Sequence, residues 1–377
     1  MAAMEKNNKT LNVPNLRFPE FSGEWENKRI DEIAPLQRGF DLPTQDVEDG
    51  DYPVVYSNGI LKYHKTYKCE APGLVTGRSG SIGSFTYISD GKYWPHNTSL
   101  WVTDFKNNYP PFIYYLYQTI NISQYASGSS VPTLNRNDVH RHITYLPTFI
   151  EQVKIAKLLV KIDERIDTQR KIIEDLKKLK DAITHSHYRN ELSHSPMVYI
   201  GQYITQVSKR NKDARIDRVL SVSNKYGFIN QDEQFEDREV ASADTSNYKV
   251  VHKGDFAYNP ARINVGSVAR LQEFENGIVS PMYVCFTTKK GLLPAYFELY
   301  LSTNIFKHEM NKRLEGSVRL CLTYEGLCNI KIALPEFNVQ KDFVSKVSRI
   351  LTKIKAEERL LYLYQNCKQY LLTQLFI

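Results

Sequence analysis

Two stretches of this chain carry the same residues in the same order, and that repetition limits the fold more than any other feature. Gly128-Ser129 leads through Leu134 to Leu146-Pro147, Phe149 and Gln152, and Gly316-Ser317 leads through Leu322 to Leu334-Pro335, Phe337 and Gln340. Each of these pairs lies 188 positions apart. Upstream, Gly83-Ser84 matches Gly266-Ser267, Pro111 matches Pro294 and Tyr117 matches Tyr300, all at an offset of 183. Earlier still, Tyr56-Ser57-Asn58-Gly59 resembles Val222-Ser223-Asn224 at an offset of 166. The offset grows along the chain, as it does when the second copy carries small loop insertions. Three ordered diagonals describe one structural unit built twice.

Composition sets the class of each copy. Lysine plus arginine exceeds aspartate plus glutamate by 49 − 42 = +7, and aromatic residues make up 12% of the 377 residues. An apolar content of 42% is too high for a disordered chain. A mean hydropathy of −0.44, with no long apolar run, excludes a membrane-spanning helix. Met1 to Thr10 is polar and reads as no secretory signal, so a soluble cytoplasmic protein is expected. Cys69, Cys285, Cys321, Cys328 and Cys367 form no C-x-x-C pair and read as reduced thiols. No cysteine or paired carboxylate completes a ligand set around His185, His187 and His194, so no metal site is expected. His140 and His142 flank Arg141 and read as part of a basic loop.

Both copies run in one internal order. Short stretches rich in Val, Ile, Tyr and Phe, such as 52–56, 83–89, 99–105, 266–271 and 283–288, read as strands. Pro111 and Pro294 open short helices over 111–118 and 294–301. A long segment nearly free of Gly and Pro follows each. The fold class is α+β: two tandem domains, each followed by a long helix, the helices pairing as an antiparallel coiled coil. Ile155, Leu159, Ile162, Ile166, Gln169, Ile173 and Leu176 step by alternating intervals of 4 and 3, and Phe343, Val347, Ile350, Ile354, Glu357, Leu361 and Tyr364 take the same steps. That spacing is a coiled-coil seam. The domain boundaries expected are 1–149, a helical spacer at 150–190, 191–337, and a second spacer at 338–377.

Chemistry-bearing motifs are missing. Gly77, Gly80 and Gly83 lack the Lys-Ser or Lys-Thr of a phosphate loop. Tyr109-Pro110-Pro111-Phe112 resembles a methyltransferase adenine pocket but has Tyr where Asp or Asn is needed, and Asn259-Pro260-Ala261-Arg262 lacks the aromatic. No nucleophile–base pair or set of separated carboxylates stands out, so binding is expected rather than catalysis. Basic and amide-bearing residues in or beside loops supply the candidates for a nucleic-acid surface. The first copy offers Arg38, Ser57, Asn58, Lys62, Arg78, Ser79, Arg136 and Arg141. The second offers Lys209, Arg210, Ser223, Asn224, Lys225, Arg262, Asn264 and Arg319. Arg78 and Arg262, five and four residues before the matched glycines, read as equivalent positions.

With these residues in view, the chain resembles the specificity subunits of type I restriction-modification systems. The opening Pro14-Asn15-Leu16-Arg17-Phe18-Pro19-Glu20-Phe21 with Trp25 is similar to the start of many members. Gly254-Asp255-Phe256 with Asn259, and Gly277-Ile278-Val279-Ser280-Pro281-Met282-Tyr283, resemble the recurring core of a target recognition domain. The first copy departs from it, having Asn97-Thr98-Ser99-Leu100 in place of Ser280-Pro281-Met282-Tyr283. The resemblance implies that each domain reads one half of a bipartite double-stranded DNA site, while the helices set the spacing and dock two methyltransferase subunits. Restriction subunits would join for cleavage. S-adenosylmethionine, ATP and Mg²⁺ would belong to the partners, and none to this chain. Two other readings stand beside it: a self-sufficient DNA-modifying enzyme with unfamiliar motifs, and a coiled-coil scaffold that does not act on DNA.

Gln169 and Glu357 interrupt both seams at matching places, near the middle of each helix. Antiparallel pairing about a pseudo-twofold axis would set the two opposite each other, fixing register at some cost in stability. Replacing both by Leu is expected to raise the midpoint of chemical unfolding; a marked fall would contradict this reading of the seam.

Overall fold

Proline at the first helical position and a glutamine one turn into the next helix decide how each copy is put together. In the computed structural model, the short helix Pro110–Thr119 has Pro at its start and Tyr109 at its N-cap, and the helix Pro294–Leu301 begins the same way after Leu293. Gln152 accepts a hydrogen bond from the Tyr109 amide at 3.0 Å and donates to Asn108 Oδ1 and to the Pro147 carbonyl, both at 3.0 Å. Gln340 repeats this: it accepts from the Leu293 amide and donates to the Gly291 and Pro335 carbonyls, each at 2.9 Å. Both glutamines are buried. The repeated Gln is thus a clamp joining the start of a long helix to the cap of a short one.

The structure describes residues 12–128, 132–231, 244–316 and 319–377. The matched serines Ser129 and Ser317 and the segment Met1 to Thr10 lie outside these residues. Two units divide the chain: Met1–Lys171 with Arg359–Ile377, and Ile172–Glu358. Among the described residues no helix is long and apolar enough to cross a membrane.

Strand order is the same in both units. In the first, Glu26–Arg29 pairs with Ile143–Leu146. One four-stranded sheet there runs Leu36–Arg38, Ser99–Val102, Gly73–Gly77, Phe85–Ile88, and the other Gly59–His64, Tyr52–Tyr56, Lys92–Pro95, Cys69–Glu70. In the second, Met197–Tyr199 pairs with Lys331–Ala333. Its first sheet runs Ile204–Val207, Val284–Thr288, Phe256–Tyr258, Val268–Arg270, and its second Gly227–Asn230, Val219–Ser223, Asn276–Val279, Lys249–His252. Even the parallel pairing recurs, with Val54 opposite Trp94 and Val219 opposite Ile278. The expected strands and short helices are present, with no end shifted by more than three residues.

The long helices run Phe149–His194 and Phe337–Leu375, so the first continues past the 150–190 read from the sequence. Each unit holds the beginning of one and the end of the other. Lys368 pairs with Asp163 at 2.7 Å in the first unit, and Lys177 with Glu358 at 2.7 Å in the second, both fitting an antiparallel course. Every seam residue is at least partly buried, Gln169 and Glu357 fully so, and Glu357 forms an ion pair with Lys353 one turn back. Near the end of each long helix an aromatic ring meets the short helix. Phe376 stacks on Phe112 at 5.2 Å, and Tyr188, 188 positions earlier, lies 4.9 Å from Tyr296. His187 stacks on Phe343 at 3.7 Å and sits in the core edge.

One sequence expectation is corrected. His140 and His142 are not a basic loop: the Leu36 amide donates to His140 Nε2 at 2.9 Å, and the Tyr125 hydroxyl meets His142 Nδ1 at 2.8 Å. Burial pushes both imidazoles below their ordinary pKa, so they favour the neutral form.

Replacing Gln152 or Gln340 by Ala strips the acceptor from a part-buried helix-cap amide and the donors from two oxygens. Each change is expected to cost about 1–3 kcal/mol for every group left unsatisfied, read as a lower midpoint in chemical denaturation. A loss no larger than that of an exposed surface substitution would contradict the clamp.

Candidate nucleic-acid interface

The candidate residues gather where a turn of the second sheet meets a loop leaving the first. In the first unit, Ser57-Asn58 forms the two-residue turn between Tyr56 and Gly59, with Gly59 at φ 106° supplying the conformation the turn needs. The adjoining loop starts at Arg78. The amides of Arg78 and Ser79 both donate to the Thr98 carbonyl, at 2.9 and 3.2 Å, and the Arg78 carbonyl accepts from Leu134 at 2.7 Å. The Gly80 amide donates to Pro132. The turn and loop touch closely: a methyl group added at Gly77 would come within 3.1 Å of the Ser57 carbonyl. Arg136 opens the short helix Arg136–His140, two residues past the Leu134 amide. Ser57, Asn58, Arg78, Ser79 and Arg136 therefore share one region. Arg38 joins its margin through Asp41, which it meets at 2.9 Å and which also accepts from Asn97, next to Thr98.

The second unit builds the same corner with different spacing. Ser223, Asn224 and Lys225 lie at the turn between Val219–Ser223 and Gly227–Asn230, where Ser223 Oγ accepts from the Lys225 and Tyr226 amides at 3.2 and 3.4 Å. Ser267 Oγ donates to the Val222 carbonyl at 3.1 Å, tying the loop of Arg262 and Asn264 to that turn. A methyl group at Gly266 would lie 3.6 Å from Asn224 Cβ. The Leu322 amide, three residues past Arg319, donates to the Pro260 carbonyl at 3.0 Å.

That last bond corrects an equivalence read from the sequence. Leu134 and Leu322 are matched positions, and their amides bond Arg78 and Pro260 respectively. Pro260, not Arg262, occupies the place of Arg78. The two arginines approach the same corner from loop positions two residues apart.

The remaining candidates lie elsewhere or bear a different relation to the corner. Lys62 is exposed on the edge strand Gly59–His64, opposite Val54. Arg141 stands at the far end of its short helix and pairs with Asp138. Lys209 and Arg210 lie beside the strand Lys249–His252, at the sheet edge opposite the Ser223 turn, where Arg210 donates to Asn247 Oδ1 at 3.1 Å. The decoy motifs are structural: Phe112 is wholly buried, and Asn259 Oδ1 accepts from the Ala261 amide at 3.1 Å to form a turn.

Two residues at these corners escaped the sequence reading. Tyr226 is 67% exposed at the turn, with the Lys225 ammonium 4.8 Å from its ring centre. Leu61 is the extra residue of a β-bulge, 58% exposed beside Lys62. A Lys-Tyr dipeptide after Ser-Asn could have marked the first; a bulge leaves no signal in composition or periodicity. Among the described residues, Lys62, Arg78, Arg136, Arg262 and Arg319 form no ion pair. A guanidinium without a carboxylate keeps its donors for an outside acceptor, and its planar fork matches phosphate oxygens or a guanine edge.

Known proteins resemble this chain in sequence and in fold. Residues 22–178 match the family described as the type I restriction modification DNA specificity domain. The type I restriction enzyme EcoprrI specificity subunit of Escherichia coli is 23% identical over 172 residues, which span 44% of this chain and 42% of that protein. A crystal structure of the type I restriction-modification system S subunit from M. genitalium has a TM-score of 0.62 at 16% identity, covering 97% of this chain and 99% of the other. A structure described in terms of complex assembly and conformational transition of the type I R-M system has a TM-score of 0.51 at 12% identity, covering 92% and 96%. The resemblance read from the sequence is met in two respects: residues 22–178 match the type I restriction modification DNA specificity domain, and the fold is similar to that of a type I specificity subunit.

Proposed function

We propose that this chain supplies the DNA sequence specificity of a type I restriction-modification complex and performs no chemical step itself. One observation carries the reading. Each unit brings a Ser-Asn turn and a loop bearing an unpaired arginine to the same corner of its two sheets. Backbone hydrogen bonds hold both loops, so little conformational freedom is lost when the side chains engage a duplex. Guanidinium groups serve phosphates and guanine, while Asn and Ser serve adenine edges and sugars. The two corners differ in residue spacing, as two halves of an asymmetric site require.

In this reading each unit contacts one half-site, and the long helices set the number of base pairs between them. Methyltransferase subunits dock on the chain and restriction subunits join for cleavage. Extrusion and methylation of adenine take place on the docked subunits, which hold S-adenosylmethionine, ATP and Mg²⁺.

Binding should follow the ion-pair map. Arg78→Ala and Arg262→Ala are expected to weaken duplex binding by about 1–3 kcal/mol where the arginine reads a base. Where it meets phosphate, each should instead reduce the salt slope by roughly 0.9. Arg141→Ala and Arg210→Ala, already engaged within the protein, should change little. Titration of a reconstituted complex over a range of salt distinguishes these outcomes; equal losses at all four positions would argue against the two corners.

Co-expression with the modification subunit, followed by mapping of methylated adenines across the host genome, tests the function directly. The expected result is a two-part motif with a fixed spacer. Deleting one heptad from each long helix removes about 10 Å of rise and should shorten that spacer by roughly 3 bp. An unchanged spacer would defeat the ruler, and methylation by the isolated chain would make it an enzyme in its own right.

A further inference from the structure

The units part company just after their matched short helices. In the first, Pro110–Thr119 is followed by one 3₁₀ turn, Ile122–Tyr125; in the second, Pro294–Leu301 is followed by the full helix Asn304–Asn311. Thr303 starts that helix, its hydroxyl accepting from the Phe306 amide at 3.1 Å. This added helix, the last turns of the first long helix and the ribbon Met197–Tyr199 with Lys331–Ala333 enclose a cleft of about 540 Å³.

Its lining has two characters. Leu192, Met197 and Ile305 are apolar, and Leu192 and Met197 remain 44% and 46% exposed. Around them stand Arg189, Arg313 and Lys331, with Glu309 as the single carboxylate. Glu309 is already spoken for: Lys312 and Arg313 each reach one of its oxygens at 2.8 Å, and the Lys312 bond leads in holding its pKa below the usual value. Arg189 and Lys331 meet no carboxylate among the described residues, and the Lys331 ammonium lies 4.9 Å from the Tyr199 ring centre. Apolar side chains beside cations in one cleft have the size and chemistry of a small-molecule site. Inorganic phosphate would leave the apolar side chains uncovered, and a neutral hydrocarbon would leave the cations unmatched.

We propose that this cleft binds a small organic anion, a carboxylate or phosphate carried on an apolar or planar body. The site belongs to the second unit alone and stands independently of the DNA reading. Its charge-assisted bonds come from Arg189 and Lys331, and its buried area from Leu192, Met197 and Ile305.

Calorimetric titration of the full chain with decanoate and with AMP tests this, the tighter probe showing whether the body is an aliphatic chain or a nucleoside. One equivalent of at least one probe should bind. Arg189→Ala and Lys331→Ala should each weaken it about tenfold, the scale of one lost charge-assisted bond. Both side chains are exposed, so thermal unfolding of the variants should match the parent. Four results would overturn the proposal: neither probe binding, binding indifferent to both substitutions, decanol binding as well as decanoate, or displacement of the probe by duplex DNA.

Discussion

A single amide side chain, used twice, holds the architecture together. Gln152 and Gln340 sit one turn into the long helices, where each spans a proline carbonyl behind it and the cap amide of a short helix beside it. Without that bridge, the cap amide and the proline carbonyl would lack a partner in the interior, a cost comparable to a sizeable share of a domain's net stability. The bridge also fixes where each long helix leaves its sheets. At that point each long helix is tied down by three hydrogen bonds made by one buried residue.

From that fixed framework the loops are free to differ. The corners bearing Ser57-Asn58 and Ser223-Asn224 rest on the same strand pairings, yet Arg78 and Arg262 reach them from positions two residues apart. An Asp41 partner occupies Arg38 in one unit, and a tyrosine ring lies under Lys225 in the other. Changes of this kind alter which donors face outward without disturbing a strand. A scaffold whose sheets repeat and whose loops do not fits the proposal that the two units read different short sequences.

Much of the fold was legible because repetition doubles every signal. The strand at 52–56, the helix at 294–301 and both seams were found from periodicity and from the prolines that open the short helices. Gln152 and Gln340 were visible as matched letters, but their clamp was not, since the cap amides they hold lie 43 and 47 residues away. The helix Asn304–Asn311 went unseen because it has no counterpart in the first unit to align with. His140 and His142 misled because charge was inferred from the neighbouring Arg141, whereas burial pushes both imidazoles below their ordinary pKa. Loop residues were the hardest to place, because insertions of one or two positions move a side chain without leaving a trace in composition.

One backbone bond says something about the order in which this molecule is made. Leu16 donates to the Gln374 carbonyl at 2.9 Å, and Trp25 and Phe112 both pack against Phe376. The second unit is one uninterrupted run of chain, whereas the first is knitted from two segments separated by all of the second. On the ribosome, then, the later-numbered unit has everything it needs before the earlier one does, and the first unit waits, with an apolar face uncovered, until residues near position 376 emerge. Damage to the last turn of the chain would strike the first half of the protein.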